Sequence, residues 1–211
     1  METSLRESEA RFRNAMTHSA IAMCLVAPDG TFETVNAALC ELLGRDADTL
    51  PAVVVRMLRE AGATLVTAES CTGGLIAKMI TDVSGASDVF LQGWITYANA
   101  AKTAELNVPA GLIAAHGAVS EPVVRAMAEG ALAASGTAYA VATTGIAGPT
   151  GGSEEKPVGL VFMAVAGPDG VEVTRQQFPG DRDRVRHRAA MAALKGLAVI
   201  IVGGMGSLSG A

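Results

Sequence analysis

Aromatic residues are scarce in this chain of 211 residues: five Phe, two Tyr and one Trp, 4% of the total. A core of stacked rings is excluded, so Ala, Val, Leu, Ile and Met must fill the interior. Cysteine is almost absent. Cys24, Cys40 and Cys71 make an odd count with no CxxC pair, which argues against a disulfide framework or a structural zinc site. The three histidines, His18, His116 and His187, lie far apart without HxH or HExxH spacing, and no metal site is read. There is no excess of basic charge. The net charge is −5, so a broad nucleic-acid-binding face is not expected, although a local basic patch is compatible with it. No apolar run reaches the length of a membrane span. The opening METSLRESEARFRN is charged and lacks an apolar signal core. These absences together predict a soluble protein of a reducing cytoplasm, with neither nucleic acid nor membrane as partner.

Half the residues are hydrophobic, which excludes global disorder. The length suits one well-buried domain, or one domain plus a fragment, but not two full-sized domains. Composition shifts near Pro51, so the expected division is 1–50, 51–200 and a Gly-rich, frayed tail over 201–211. Before Pro51, residues 5–17 read as a helix. IAMCLVAPDGTFETVN reads as two short strands around a Pro28-Asp29-Gly30 turn. Residues 36–43 read as a short helix capped by Asn36 and stopped by Gly44. The stretch RFRNAMTHSAIAMCLVAPDGTFETVNAALCELLGRDADTL resembles the opening half of a PAS sensor domain over residues 6–50. The closing strands of such a domain do not follow. Ile21, Met23, Leu25 and Val35 still need cover. We therefore expect no haem or flavin here, and either disorder or packing against a second subunit, a homodimer being favoured.

After Pro51 strands and helices alternate. VVVRMLREAG is an amphipathic helix stopped by Gly62, and ATLVTA is an apolar strand. ESCTGGLIAKMITDVSG is a tight turn entering a helix. VFLQGWITYA is a strand and NAAKTAEL a short helix. Ser120 caps EPVVRAMAEGALAAS, with Pro122 in its first turn. YAVATT is a buried strand, and VGLVFMAVA and VEVTRQQF flank a hairpin signal at Gly167–Gly170. Residues 181–201 form the last helix. The pattern predicts an α/β class, three-layer α/β/α, with a mixed sheet.

Four stretches have the residues for chemistry. Glu69-Ser70-Cys71-Thr72-Gly73-Gly74 opens a helix after a strand, where first-turn N–H groups can hold an anion. The plainer alternative is a Ser cap with Gly-Gly allowing close packing. Tyr97-Ala98-Asn99-Ala100-Ala101-Lys102 places a phenol and an amine at one turn. A Lys beside a Ser serves as its base when burial depresses its pKa; alone, Lys102 is a surface lysine. Thr143–Ser153 is a Gly-rich loop at a strand's C-terminal end, where open α/β sheets bind ligands. It is neither a Walker loop nor a dinucleotide fingerprint, and the alternative is a mobile surface loop. Gly180–Arg188 puts four Arg near a helix start, against the macrodipole, with Asp181 as the cap. An anionic ligand or a solvated face would account for them.

In this order, TAESCTGG (67–74), GWITYANAAK (93–102), HGAVSEPVV (116–124), TGIAGPTGGSEEKPVG (144–159) and GDRDRVR (180–186) resemble the CinA C-terminal domain family, the nicotinamide-nucleotide amidohydrolases. The resemblance spans about residues 52–198. It implies hydrolysis of the carboxamide of nicotinamide mononucleotide to nicotinic acid mononucleotide and ammonia, a step of pyridine nucleotide recycling that requires no metal or other cofactor. It implies Ser70 as nucleophile, with Tyr97 and Lys102 handling its proton. The expected substrate-binding positions are Thr72, Gly73, Gly74, Asn99, Thr144, Gly145, Gly148, Gly151, Gly152 and Arg182, the Gly-rich loop and Arg182 receiving the phosphate. Full-length CinA proteins carry another domain first; a PAS-like piece stands there instead, so that domain's pyrophosphatase activity is not expected.

Ser-Lys pairs perform amide chemistry without His. Cys71 is the rival nucleophile, but neighbours at a helix start point about 100° apart, so one alone should face the site, and Ser70 is the choice. Tyr97-x-Asn99 resembles the spacing in serine β-lactamases, although Ser70 lacks their Lys three residues on. A non-catalytic nucleotide-binding or signalling module, assembled through the PAS-like piece, is the alternative of a different class.

Overall fold

The computed structural model describes Asn14 and residues 24–26, 32–35 and 49–208. The chain divides into two compact units, 1–49 and 50–211. In the first, β1 (Cys24–Val26) and β2 (Phe32–Val35) pair antiparallel, with Cys24 opposite Val35 and Val26 opposite Phe32. These are the two strands expected around the Asp-Gly turn, and Asn14 is helical as the reading of 5–17 requires. The turn itself, the helix over 36–43 with Asn36 and Gly44, and the cover of Ile21, Met23, Leu25 and Val35 lie outside the described residues.

The second unit begins with α1 (Leu50–Glu60). β3 (Leu65–Glu69), α2 (Leu75–Thr81), β4 (Phe90–Ile95) and α3 (Asn99–Leu106) follow. Then come α4 (Ala110–His116), α5 (Glu121–Ser135), β5 (Tyr139–Gly145), β6 (Leu160–Gly167), β7 (Gly170–Gln177) and α6 (Arg182–Leu208). The sheet order is β4-β3-β5-β6-β7. β3 lies parallel to β4 and β5, whereas β5, β6 and β7 run antiparallel. The sheet is mixed, as expected.

Strand periodicity builds the three layers. Successive residues of a strand face opposite sides, so Leu65, Val141, Val161 and Met163 pack with α1, α2 and α6. Val66, Ala68, Ala140, Ala142, Phe162 and Ala164 pack with α3, α4 and α5. β3 is buried at all five positions, which is why its sequence reads as a continuous apolar run rather than an alternation. The C-terminal ends of β3 and β5 therefore emerge side by side, with Glu69 in register with Thr143.

Three local expectations change. α4 was not legible: it starts after Pro109, has no side-chain cap and is seven residues long. Ser120 does not cap α5 through its side chain, because its Oγ donates to the Gly117 carbonyl at 2.8 Å. The last helix does not stop at 201 but runs to Leu208; glycine costs a helix about 1 kcal/mol without forbidding it. Among the described residues, no helix is long and apolar enough to cross a membrane.

Candidate active site

β3 delivers the chain to Glu69, and a turn over 70–74 precedes α2. The tight turn expected of ESCTGG is there, and α2 begins only at Leu75, beyond Ser70. The turn is held from several sides. Ser70 N–H donates to the Thr143 carbonyl (3.0 Å), and Gly73 N–H to the Ser70 carbonyl (3.1 Å). The hydroxyls of Thr72 and Thr143 share a hydrogen bond of 2.7 Å. Arg186, from α6, donates to the Thr72 carbonyl at 2.8 Å. The anion-holding role expected of the helix start is already filled. Ile76 and Ala77 N–H donate to the two carboxylate oxygens of Glu69, at 3.1 and 2.9 Å.

Lys102 reaches this turn from α3. Its side chain is buried, with 1% of the residue exposed. Nζ lies 3.1 Å from Ser70 Oγ, 2.8 Å from the Thr96 carbonyl and 3.3 Å from the Tyr97 carbonyl. Burial pulls the Lys102 pKa below its ordinary 10.5; the neighbouring Cys71 opposes this more weakly. The juxtaposition of Ser70 and Lys102 is the one the sequence reading expected. Tyr97 joins it differently. Its main-chain oxygen holds Lys102, while its phenol, on a residue 58% exposed, accepts from Arg182 Nη2 at 2.8 Å.

Cys71 also lines the cavity, 5% exposed. The expectation that helical spacing would turn it away fails because residues 70–74 are a turn and not a helix. Chemistry separates the two instead. Burial pushes the Cys71 thiol up to about 12, and the Glu69 charge adds to this against local N–H and Thr143 hydrogen bonds. The thiol is protonated at neutral pH and is a poor nucleophile.

These side chains open into a cavity of about 280 Å³, close to the lower end of ligand clefts, roughly 300 Å³. Its other walls are Ala118 and Val119, the loop Thr144–Gly148 with Thr150 and Gly151, Asn99 and Arg182. Arg182 closes the rim, donating Nη1 to the Gly148 carbonyl at 2.9 Å as well as Nη2 to Tyr97. Lys156 ties the far side of the loop to the His116 carbonyl at 2.7 Å. Three of the four arginines near the start of α6 are thereby accounted for. Arg182, Arg186 and Arg188 serve carbonyls of neighbouring loops, and Asp181 caps α6 by accepting from Arg184 N–H at 2.9 Å.

Of the expected substrate positions, Asn99, Thr144, Gly145, Gly148, Gly151 and Arg182 line the cavity. Thr72, Gly73, Gly74 and Gly152 do not. Thr72 is fully buried against Thr143. A Cβ on Gly73 would meet Arg186, one on Gly74 would meet Ile95, and one on Gly152 would meet Val158. These glycines serve close packing. Ala118 and Val119 were missed as wall residues: HGAVSE was visible as a motif, but its small apolar side chains carry no chemical signal.

Comparison with known proteins places the fold in a family. The profile of the CinA C-terminal domain matches residues 47–201, and that of a PAS domain matches 10–71. The PAS match runs past the expected limit of residue 50 into α1, β3 and the start of the Ser70 turn. A CinA-like protein of Anaeromyxobacter dehalogenans (strain 2CP-C) is 54% identical over 154 residues, covering 73% of this chain and 38% of the relative. A putative competence-damage inducible protein of Symbiobacterium thermophilum is 57% identical over 162 residues, covering 72% and 38%. The chain thus spans well under half the length of these relatives. A CinA superfamily protein of Klebsiella pneumoniae superimposes with a TM-score of 0.71 at 35% identity, over 73% of this chain and 96% of the other. The competence/damage inducible protein CihA of Agrobacterium tumefaciens gives 0.70 at 40% identity, over 72% and 93%. On the profile match, these identities and the shared fold, the chain belongs to the CinA C-terminal domain family.

Proposed function

We propose that this protein is a serine amidohydrolase that releases ammonia from the carboxamide of nicotinamide mononucleotide. The observation that carries the reading is the buried Lys102 Nζ, 3.1 Å from Ser70 Oγ at the wall of the cavity. A neutral amine has two N–H groups and one lone pair. With the N–H groups given to the Thr96 and Tyr97 carbonyls, the lone pair points at the Ser70 hydroxyl. Lys102 takes the Ser70 proton as Oγ attacks the carboxamide carbon. The resulting ammonium returns that proton to the departing nitrogen, the C–N bond breaks, and ammonia leaves. Water then attacks the Ser70 ester with Lys102 again as base. The acid and the free serine are released.

Glu69 occupies the Ile76 and Ala77 N–H groups, so the oxyanion has the wall of the cavity and the turn's own N–H groups to draw on. Asn99 and the loop Gly145–Gly151 are part of that wall. Arg182 stands at the rim, and a guanidinium keeps N–H groups to spare beyond the two bonds it makes here. It suits the substrate's phosphate, the charge that distinguishes the mononucleotide from its riboside. Release of ammonia from the mononucleotide tests the reading. Ser70→Ala is expected to abolish it, with Cys71→Ala retaining most of it. Tight mononucleotide binding by the wild-type protein without any ammonia would instead support a binding module.

A further inference from the structure

Glu69 is a carboxylate with no surface exposure, and none of the steps above uses it. Its two oxygens accept from the N–H groups of Ile76 and Ala77, the second and third residues of α2. Gly74, the residue before that helix, has no side chain and a φ of +88°, so α2 lacks a cap of its own. Glu69 provides one from seven and eight residues back. The bond closes a ring around 70–74, with β3 entering at one side and α2 leaving at the other.

We infer that Glu69 is a positioning residue: its two-oxygen clamp on α2 sets the 70–74 turn so that Ser70 Oγ meets Lys102 Nζ. The inference rests on Ser70 being the nucleophile. The geometry gives the reason. Ser70 follows Glu69 directly, and its N–H is fixed to Thr143 on the neighbouring strand. One end of the turn is anchored by the sheet, and the clamp fixes the other. Glutamine at 69 keeps the length but replaces one acceptor with an NH₂ group facing an N–H. That leaves a buried donor unpaired and pushes α2 away. A displacement near 1 Å at a reacting atom costs about a hundredfold in rate.

The test uses the full chain and a fluorophosphonate probe, which reports serine reactivity whatever the natural substrate is. Labelling of Ser70, per folded protein, is expected to slow by about tenfold to a hundredfold in Glu69→Gln. In the mononucleotide assay kcat should fall in parallel, KM should stay within about twofold, and the midpoint of the pH–rate limb should match wild type. A lowered Tm with labelling at the wild-type rate would mean that Glu69 merely stabilises the fold, and would overturn the inference. Glu69→Asp, which keeps the charge but shortens the reach by one methylene, is read the same way should the glutamine variant not fold. A wild-type protein that is not labelled at Ser70 would remove the nucleophile and this inference with it. A labelled wild type with an unaffected variant sinks the role of Glu69 alone.

Discussion

The three oxygens around Lys102 Nζ set what that side chain can do. Two are main-chain carbonyls and cannot give up a proton; the third is the Ser70 hydroxyl, which can. Burial favours the neutral amine. The rate of deamidation should therefore rise with pH through a midpoint below 10.5, and Lys102→Ala should remove that limb while lowering kcat by about 10²–10⁴. Stability carries the same signature. The folded pKa is lower than the unfolded one, so between the two values the unfolded chain binds the extra proton and stability rises with pH. Urea unfolding of Lys102→Met across that window should show a flatter slope than wild type. Cys71 has the opposite sign, since its thiol is raised to about 12. It should resist iodoacetamide in the folded protein at pH 8 and react once unfolded. Rapid alkylation of the native protein would contradict the buried, protonated thiol described above.

At the scale of elements, the Ser70–Lys102 pair depends on how closely α3 approaches α5. Gly130 of α5 lies against the end of α3, where a Cβ would come within 1.9 Å of the Leu106 carbonyl. That atom is backbone and cannot swing aside. Gly130→Ala should push α3 outward, costing about 1–3 kcal/mol in the manner of an overpacked core, or several degrees in Tm for a domain of this size. Because α3 carries Lys102, activity should fall with it; unchanged Tm and kcat would show that the helices part without cost. The start of α6 has a different task, strapping the Gly148 loop to Tyr97 through Arg182. Arg182→Ala should raise KM for the mononucleotide, with little change for nicotinamide riboside. Equal loss with both substrates would mean that the strap, and not a phosphate contact, is what Arg182 supplies.

For the molecule as a whole, the second unit contains Ser70, Lys102, the cavity and both buried clusters. A chain starting at Pro51 should fold cooperatively and keep the proposed activity of the full chain, measured by ammonia release. Insolubility or inactivity of that chain at every concentration would make residues 1–50 part of the functional fold. The overlap of the PAS and CinA profiles over 47–71 makes this informative. Residues 50–71 carry Leu58, Leu65 and Cys71, all of them in the buried cluster of the second unit.

Periodicity and motif order determined a good deal by themselves. The alternation of apolar strands with amphipathic helices specified an α/β sheet, and the hairpin signal at Gly167–Gly170 made it mixed, because a tight turn can join only antiparallel strands. Helices with strong local signals, such as 99–106 and 121–135, were legible to the residue. The Ser70 and Lys102 pairing was implied by the family resemblance of the motifs that contain them; read locally, Lys102 is a surface lysine. Tertiary structure decided what depends on contacts between segments distant in sequence. Glu69 looks in sequence like the polar end of a strand, and its clamp exists only because the chain turns back on it. The phenol of Tyr97 meets Arg182 across 85 residues. Thr72 bonds to Thr143, and Gly73 and Gly74 pack against Arg186 and Ile95, outside the cavity, through contacts that no local pattern announces. Local propensity fixes where a backbone bends, but the direction of a side chain after the bend is set by what packs against it.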